Sequence, residues 1–409
     1  MSPRFALFAT LLMLAPLAHG AEPAPDVEVA PLLFEEDVVV AEEQLAGPRN
    51  WVRADYLLWW IEPDRTPVPL LTTGPNVMGG GALGNPGTQV LFGSELDYGS
   101  HSGGRLDLGH WFGGEQRLGF AMRGFMLETH TIHGKADSDA NGSPLIARPF
   151  YNTFRDAQAV NQITRPGSLV GGVDVFADSR LWGADAAFLG NLRRSETLRF
   201  DVLAGFAYLG QKDELRFSQS SAQTVPGALT FLGTPVLAPG IISIRDFYRT
   251  VNQFYGAQLG GKAQWQRGRL FVDSGVRFGL GSTRQEAMVS GYTILTDAAG
   301  ANIFAPGGLY TQPTNIGFHT RSQFAFTTEV DLRLGFQIAR WLQAHIGYSF
   351  LYWSDVARPG GLVNPYVDAR QIASRPNFGA PGTPVQPVFN FNSDDFWAQG
   401  LTAGLTIRY

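Results

Sequence analysis

The last fifteen residues of the chain, Asp395–Tyr409, alternate between apolar side chains and small or polar ones. The apolar face carries Trp397, Leu401, Ala403, Leu405, Ile407 and Tyr409, with Gln399 as its single polar member. Successive side chains in a β-strand point to opposite faces, so this pattern predicts a strand with one apolar surface. A terminal strand that ends on an aromatic residue is typical of bacterial outer-membrane barrels. It predicts that the preceding chain closes into a barrel in lipid.

The amino-terminal residues predict export. Residues 1–20 read as a secretory signal, with Arg4 before an apolar core at 5–17 and small residues before the cut. That core is shorter than the roughly 20 residues a membrane-spanning helix needs. No later stretch approaches that length, so any membrane crossing is expected to use strands. Residues 21–49 are acidic and interrupted by proline, and predict a disordered lead-in. The barrel domain is expected at 50–409.

The composition narrows the function classes. A net charge of −5 is of the wrong sign for a nucleic-acid partner. The absence of cysteine from the sequence excludes disulfides and thiolate zinc sites. Charged residues make up 16% of the chain, against about 25% in a typical soluble protein. This share of charged residues is low for a water-soluble surface, and no cofactor is predicted.

From Trp51 onward, ten segments show a period of two, which predicts an all-β, closed antiparallel transmembrane barrel of about ten strands. Twelve strands is the alternative. Phe254 is off-pattern in the sixth segment. The segments are 51–61, 104–112, 117–128, 180–190, 197–210, 252–265, 270–283, 323–338, 342–353 and 395–409.

The connections between these segments alternate in length. Short turns at 113–116, 191–196, 266–269 and 339–341 separate long excursions at 62–103, 129–179, 211–251, 284–322 and 354–395. Short periplasmic turns and long outer loops are typical of outer-membrane barrels. A soluble two-sheet sandwich, the alternative, does not require this asymmetry. Further β-patterns at Thr88–Phe92 and Asp213–Ser218 predict strand extensions above the bilayer or an added hairpin.

Charged residues fall on the faces opposite the apolar belt, seven of each sign, and are expected to face the lumen. A ten-stranded barrel filled by paired charges leaves little room for water, because only much wider barrels leave an aqueous channel. We therefore expect a narrow or plugged lumen, with an ordinary small pore as the alternative. The set is Arg53, Asp55, Arg105, Asp107, Arg123, Asp185, Arg199, Asp201, Lys262, Asp273, Arg277, Glu329, Asp331 and Arg333.

Six segments resemble the putative β-barrel porins of family seven. They are the first strand at Ala54–Trp60, the segments Pro67–Gly74 and Ser102–Arg105 that follow it, a central strand at Asn252–Gly260, the segment Gly347–Gly360 and the closing strand from Phe396 to Tyr409. The resemblance extends over about residues 50–409. It implies an outer-membrane location and a barrel architecture, and it supplies no catalytic residues.

Two loop features suggest other chemistry. Asp137, Asp139 and Asn141 place oxygen ligands as in the first half of a calcium loop, but Arg148 occupies the twelfth position, where a glutamate belongs. They are therefore only a weak metal candidate. His101, His130, His133 and Asp137 are the residues that an enzyme site at the loop rim would use, although their spacing matches no known catalytic set.

The function expected from these patterns is that of a porin-like outer-membrane barrel of the bacterial cell envelope, and not of an enzyme. Its role is passive permeation, or else a surface or structural one. The alternatives are a surface adhesin or receptor that uses the long loops and, less favoured, an outer-membrane hydrolase. The expected partners are membrane lipid and small solutes or surface partners at the loops. The sequence leaves open whether the barrel forms a homo-oligomer.

Overall fold

The computed structural model describes residues 47–409, so the predicted signal at 1–20 and most of the acidic lead-in lie outside the described residues. The described part of the chain contains no helix that is long and apolar enough to span a bilayer. Its elements are β1 Asn50–Ile61, β2 Asp64–Arg65, β3 Leu71–Thr73, β4 Gln89–Phe92, β5 Glu95–Leu96, β6 Ser100–Phe112, β7 Leu118–Leu127, β8 His130–Asp137, β9 Ile146–Asn152, β10 Ala157–Thr164, β11 Leu169–Arg194, β12 Leu198–Gln223, β13 Thr230–Phe231, β14 Thr234–Pro235, β15 Ile241–Arg267, β16 Leu270–Thr296, β17 Asn302–Pro306, β18 Gly317–Ala339, β19 Leu342–Ala357, α1 Pro359–Leu362, β20 Tyr366–Val367 and β21 Ser393–Arg408.

Ten of these strands close into an antiparallel ring, as the sequence predicted. The order around the ring is β1, β6, β7, β11, β12, β15, β16, β18, β19 and β21, and β21 pairs back onto β1. The closing register sets Trp51 opposite Arg408 and Ile61 opposite Ala398. Every one of the ten strands therefore has a neighbour on both sides within the membrane-spanning part, which removes the free edges that lipid does not tolerate.

The outer face of the ring carries the apolar belt. Leu259, Phe278, Leu334 and Ile346 are among the side chains that are more than half exposed, because they alternate with inward-facing residues on the same strands. Tyr208 and Tyr255 pair across β12 and β15 at the loop-side end of the belt. The belt matches the predicted period of two and provides the lipid-facing surface.

Four strands continue far beyond the belt on the loop side. β15 and β16 each have 27 residues, which corresponds to about 90 Å of extended chain, whereas a tilted membrane strand needs about 9–11 residues. The predicted extension at Asp213–Ser218 is part of β12, and Gln89–Phe92 forms β4 in a separate small sheet. The long excursions of the sequence are therefore largely folded.

The loop-side extensions of β11, β12, β15 and β16, together with residues 62–99, 129–168, 224–240, 297–316 and 358–392, form what we call the loop domain. Its second sheet has the order β10, β9, β3 and β4, with β20 added parallel to β9. Phe150, Phe217 and Tyr248 are buried in the core that the sheets share. The long barrel strands thus supply one wall of a folded body above the membrane.

Candidate functional site in the barrel lumen

The fourteen charged residues singled out from the sequence lie on the inner side of the ring, and none of them is exposed. Thirteen take part in ion pairs, and Lys262 is the one without a carboxylate in ion-pair range among the described residues. The network extends across strands, since Arg53 on β1 reaches both Asp107 on β6 and Asp273 on β16. The charges are therefore joined through the interior rather than distributed along a water-filled wall.

Asp331 on β18 is the centre of this network. Arg105 and Arg277 each donate to its carboxylate over 2.9 Å, and the Ser349 hydroxyl donates over 2.6 Å. Arg123 and Arg333 approach it at 3.7 and 3.6 Å. One carboxylate thus holds four guanidinium groups together in the lumen, an arrangement that narrows the passage between opposite walls.

The strand register explains the first ion pairs. Arg53 lies opposite Asp107 and Asp55 lies opposite Arg105, so the charge order of β1 complements that of β6. His345 joins the same cluster, because its Nε2 atom lies 2.8 Å from Asp55 Oδ1. The sequence analysis did not single out His345. The sequence did contain a signal for it, because His345 alternates with the outward-facing Ala344 and Ile346 and therefore falls on the inner face of the strand.

An apolar layer fills the lumen on the loop side of the charges. Leu57 lies two residues beyond Asp55, and Phe125 lies two residues beyond Arg123. Both side chains are buried. Trp59 contacts Phe125 with ring centroids 5.5 Å apart, while Phe254 meets Trp353 at 6.3 Å. We call these five residues, with Leu209, Leu351 and Phe396, the apolar layer. The lumen is therefore closed by packed side chains as well as by ion pairs.

The sequence analysis did not predict the apolar layer, although two signs of it were present. The run Leu57–Ile61 is apolar at every position, which indicates that both faces of the strand end are buried. Phe254 does not fall on the outward apolar face of its segment, and its side chain is fully buried and points inward. A loss of alternation at the loop-side end of a strand thus marks the layer.

On the turn side of the charges lies a cavity of about 330 Å³, which we call the vestibule. Its turn-side end is lined by Gln116, which is buried, and by Glu196, which is exposed, at the turns after β6 and β11. Trp51 and Trp111 form part of the wall, with Arg199 stacked 4.2 Å from the Trp111 ring. The vestibule opens towards the turn side, and the charge network around Asp331 closes its other end.

Two further cations in the vestibule were not among the predicted residues. Arg194 donates to Gln116 over 2.6 Å, and Arg408 lines the wall beside the closing register. The alternation of the last strand puts Arg408 on the face opposite Ile407 and Tyr409, so the period of two was sufficient to include it. Arg194 lies near the β11–β12 turn, where alternation gives no guidance.

Above the apolar layer, a second buried charge cluster belongs to the loop domain. Arg358 Nε donates to Asp213 over 2.9 Å, and the Gly360 amide donates to Asp64 over 2.8 Å. Burial raises the pKa of the Asp64 carboxyl to about 6, although Arg358 opposes the shift. Burial also raises the pKa of Tyr98, whose ring packs against Arg358.

The remaining sequence candidates, His101, His130, His133 and Asp137, do not gather into a single site. β8 is a strand, so His130 and His133 face opposite ways, and His133 pairs with Asp174 at 2.7 Å. Asp137 pairs with Lys135 at 3.0 Å. The His101 ring lies 5.3 Å from that of His130. These side chains do not converge on one point at the rim.

The weak metal candidate also has other partners. Asp139 Oδ1 accepts the amides of Asn141 and Ser143 over 2.8 and 2.9 Å, which makes it part of a turn. Within residues 47–409, no group of three or more metal-ligating side chains is arranged to hold an ion. Calcium at Asp137, Asp139 and Asn141 stays a prediction from the sequence.

Comparison with known proteins places this geometry in a family. The family described as "Putative beta barrel porin-7" matches residues 51–409. No curated protein matches the chain.

Among solved structures, the outer membrane protease OmpT from Escherichia coli aligns with 7% identity and a TM-score of 0.38, over 93% of this chain and 99% of that one. A Pseudomonas aeruginosa FadL homologue aligns with 8% identity and a TM-score of 0.22, over 90% and 91%. The TodX deltaS2S3 mutant, a monoaromatic hydrocarbon channel, aligns with 7% identity and a TM-score of 0.20, over 89% and 91%.

Proposed function

Since the chain belongs to the putative beta barrel porin-7 family, it is a porin-like barrel of the bacterial outer membrane, and we propose that its lumen is closed at rest. Its lipid-facing belt anchors it in the membrane, while its role is to carry the loop domain at the cell surface. Solute passage requires displacement of the apolar layer. We propose further that the protein has no catalytic activity, which its membership of a porin family supports.

The apolar layer is the observation that carries this proposal. Trp353 is fully buried in the middle of the ring, and its indole N–H donates to Thr283 on β16 over 2.9 Å. Phe254 packs against it from β15. A hydrated path would have to pass both this layer and the ion pairs around Asp331. Burying these large side chains stabilises the closed state by about 2–3 kcal/mol each.

Single-channel recording in planar bilayers tests the proposal. The refolded mature protein is expected to show no long-lived open level. The double substitution of Phe254 and Trp353 by alanine should increase the frequency of open events, because it removes two large rings from the layer. Phe326→Ala is the matched control, since it removes an aromatic ring at a similar height on the outer face.

Two results would count against the closed barrel. A large and stable conductance of the unmodified protein would overturn it directly. An equal rise in open events for Phe326→Ala and for the double variant would show that the rise does not come from the apolar layer. A screen of lipid, ester and peptide hydrolysis by the refolded protein tests the non-enzymatic role, and turnover that requires the folded barrel would contradict it.

A surface-binding role is the second candidate, and the loop domain favours it. Met78, Leu237 and Phe304 are exposed apolar side chains in three separate connections between barrel strands, with 95%, 81% and 62% of their surface accessible. Replacement of all three by serine should reduce attachment of the cells to a surface while it leaves conductance unchanged. Attachment that is unaffected by the triple substitution would argue against this role.

A further inference from the structure

The vestibule has more unsatisfied hydrogen-bond donors than acceptors. Six buried side-chain nitrogen atoms of residues that line it have no hydrogen-bond partner among the described residues, and they belong to Arg194, Gln264, Arg277 and Arg333. Only one wall oxygen, Asp273 Oδ1, is buried without a partner. Buried donors without partners are costly, so small movements of these side chains that let an acceptor-rich ligand or water reach them would be favourable.

The charge of the vestibule points in the same direction. Eight cationic and six acidic side chains line it, and most of the acids already pair with arginine. Lys262 has no carboxylate in ion-pair range within residues 47–409, and the same holds for Arg408. With Glu329, which pairs with Arg123 and Arg277 from outside the lining, the cations still outnumber the carboxylates by eight to seven.

Arg333 is the best-placed donor. Its side chain is only 7% exposed, and its Nε and Nη2 atoms make no hydrogen bond to any described residue. Its closest carboxylate, Asp331, lies 3.6 Å away and is shared with three other guanidinium groups. A planar guanidinium whose donors are unused suits bidentate recognition of an oxyanion.

From these observations we propose that the vestibule binds a small solute oxyanion, of carboxylate or phosphate chemistry, that enters from the turn side. Arg333 donates at the blind end, while Lys262 and Arg408 supply charge along the wall. The cavity volume of about 330 Å³ suits a solute of a few to about twenty heavy atoms rather than a polymer. The proposal does not depend on whether the lumen opens.

Calorimetric titration of the full mature protein in detergent tests the site. The probes are inorganic phosphate and citrate, and glycerol is the uncharged control. Saturable heat with at least one of the anions, and none with glycerol, is expected, and the heat should decrease as sodium chloride is added because the salt screens the wall charges. The better of the two anions identifies the chemistry of the ligand.

Substitutions locate the binding. Lys262→Gln should weaken anion binding by at least about tenfold, because it removes a charge-assisted contact. Arg408→Gln is a second test should the first variant fail to fold, which heat-modifiable gel mobility reveals. Arg117→Gln is the matched control, since this arginine lies near the same turns but is 70% exposed and lies outside the vestibule. It should change the affinity by less than about twofold.

Either of two outcomes overturns the proposal. The first is the absence of saturable heat with both anions at millimolar concentration. The second is an affinity that Lys262→Gln and Arg408→Gln leave as unchanged as Arg117→Gln does, since the anion would then bind elsewhere on the protein.

Discussion

Two buried carboxylates, Asp331 in the lumen and Asp246 in the loop domain, both pair with arginine but have different surroundings. Asp246 Oδ1 accepts the backbone amides of three consecutive residues, Leu309 to Thr311, over 2.9–3.0 Å. Its other oxygen lies 2.8 Å from Arg148 Nη1. No backbone amide within residues 47–409 donates to Asp331, which instead pairs with four guanidinium groups beside the vestibule.

This difference separates a structural site from one suited to solutes. Arg148 lies between the rings of Phe217 and Tyr310, at 4.3 and 4.6 Å, and has no exposed surface. Asp246 thereby fixes the chain at 309–311 against β15, and the pair is sealed from water. The charges around Asp331 stand next to a cavity that opens to solution, so water or an anion can reach some of them.

The largest expected effect comes from Asp246→Ala. It leaves Arg148 charged without its carboxylate and three amides without an acceptor, which should destabilise the loop domain locally by about 3–5 kcal/mol. Hydrogen exchange at residues 309–311 should accelerate, whereas exchange in the membrane part of β18 should not. Asp246→Asn, which keeps one acceptor oxygen, is the control, and it should destabilise the loop domain less than Asp246→Ala does. If Asp246→Ala accelerated hydrogen exchange by the same factor at residues 309–311 and in the membrane part of β18, the two regions would not differ as described.

A smaller effect is expected from pH at Asp64, in the loop domain. Burial raises the pKa of its carboxyl from 3.8 to about 6, so the folded state holds the proton more tightly than the unfolded chain does. Its contribution is fully present below pH 4 and is lost as the pH rises through 6, and it amounts to about 3 kcal/mol at most.

Protection of the Gly360 amide, which donates to Asp64, measures this contribution. The protection factor should fall between pH 4 and pH 7, and Asp64→Asn should flatten that dependence because the amide does not titrate. A pH dependence that persists unchanged in Asp64→Asn would assign it to another group.

The membrane ring was predictable from the sequence, and the loop domain largely was not. A single physical constraint, apolar outside and polar inside, acts on every membrane strand, so period two identified both the ten strands and the inner face that carries His345 and Arg408. The Arg148–Asp246 pair joins residues that no local pattern links, and Arg148 appeared in the sequence only as a misfit in a calcium loop. The apolar layer falls between these cases, since it interrupts alternation at Leu57–Ile61 without indicating its partners across the ring.

The smallest of the three effects is expected in the lumen, from Asp331→Asn. Three of the four guanidinium groups around it keep another carboxylate, since Arg105 has Asp55 at 2.8 Å and Glu329 pairs with both Arg123 and Arg277. Vestibule water can also solvate the charge that is released. We therefore expect a loss of about 1–2 kcal/mol in unfolding free energy, below that of Asp246→Ala. Denaturant unfolding followed by gel mobility measures it, and a loss as large as that of Asp246→Ala would mean that the lumen network is sealed from water too.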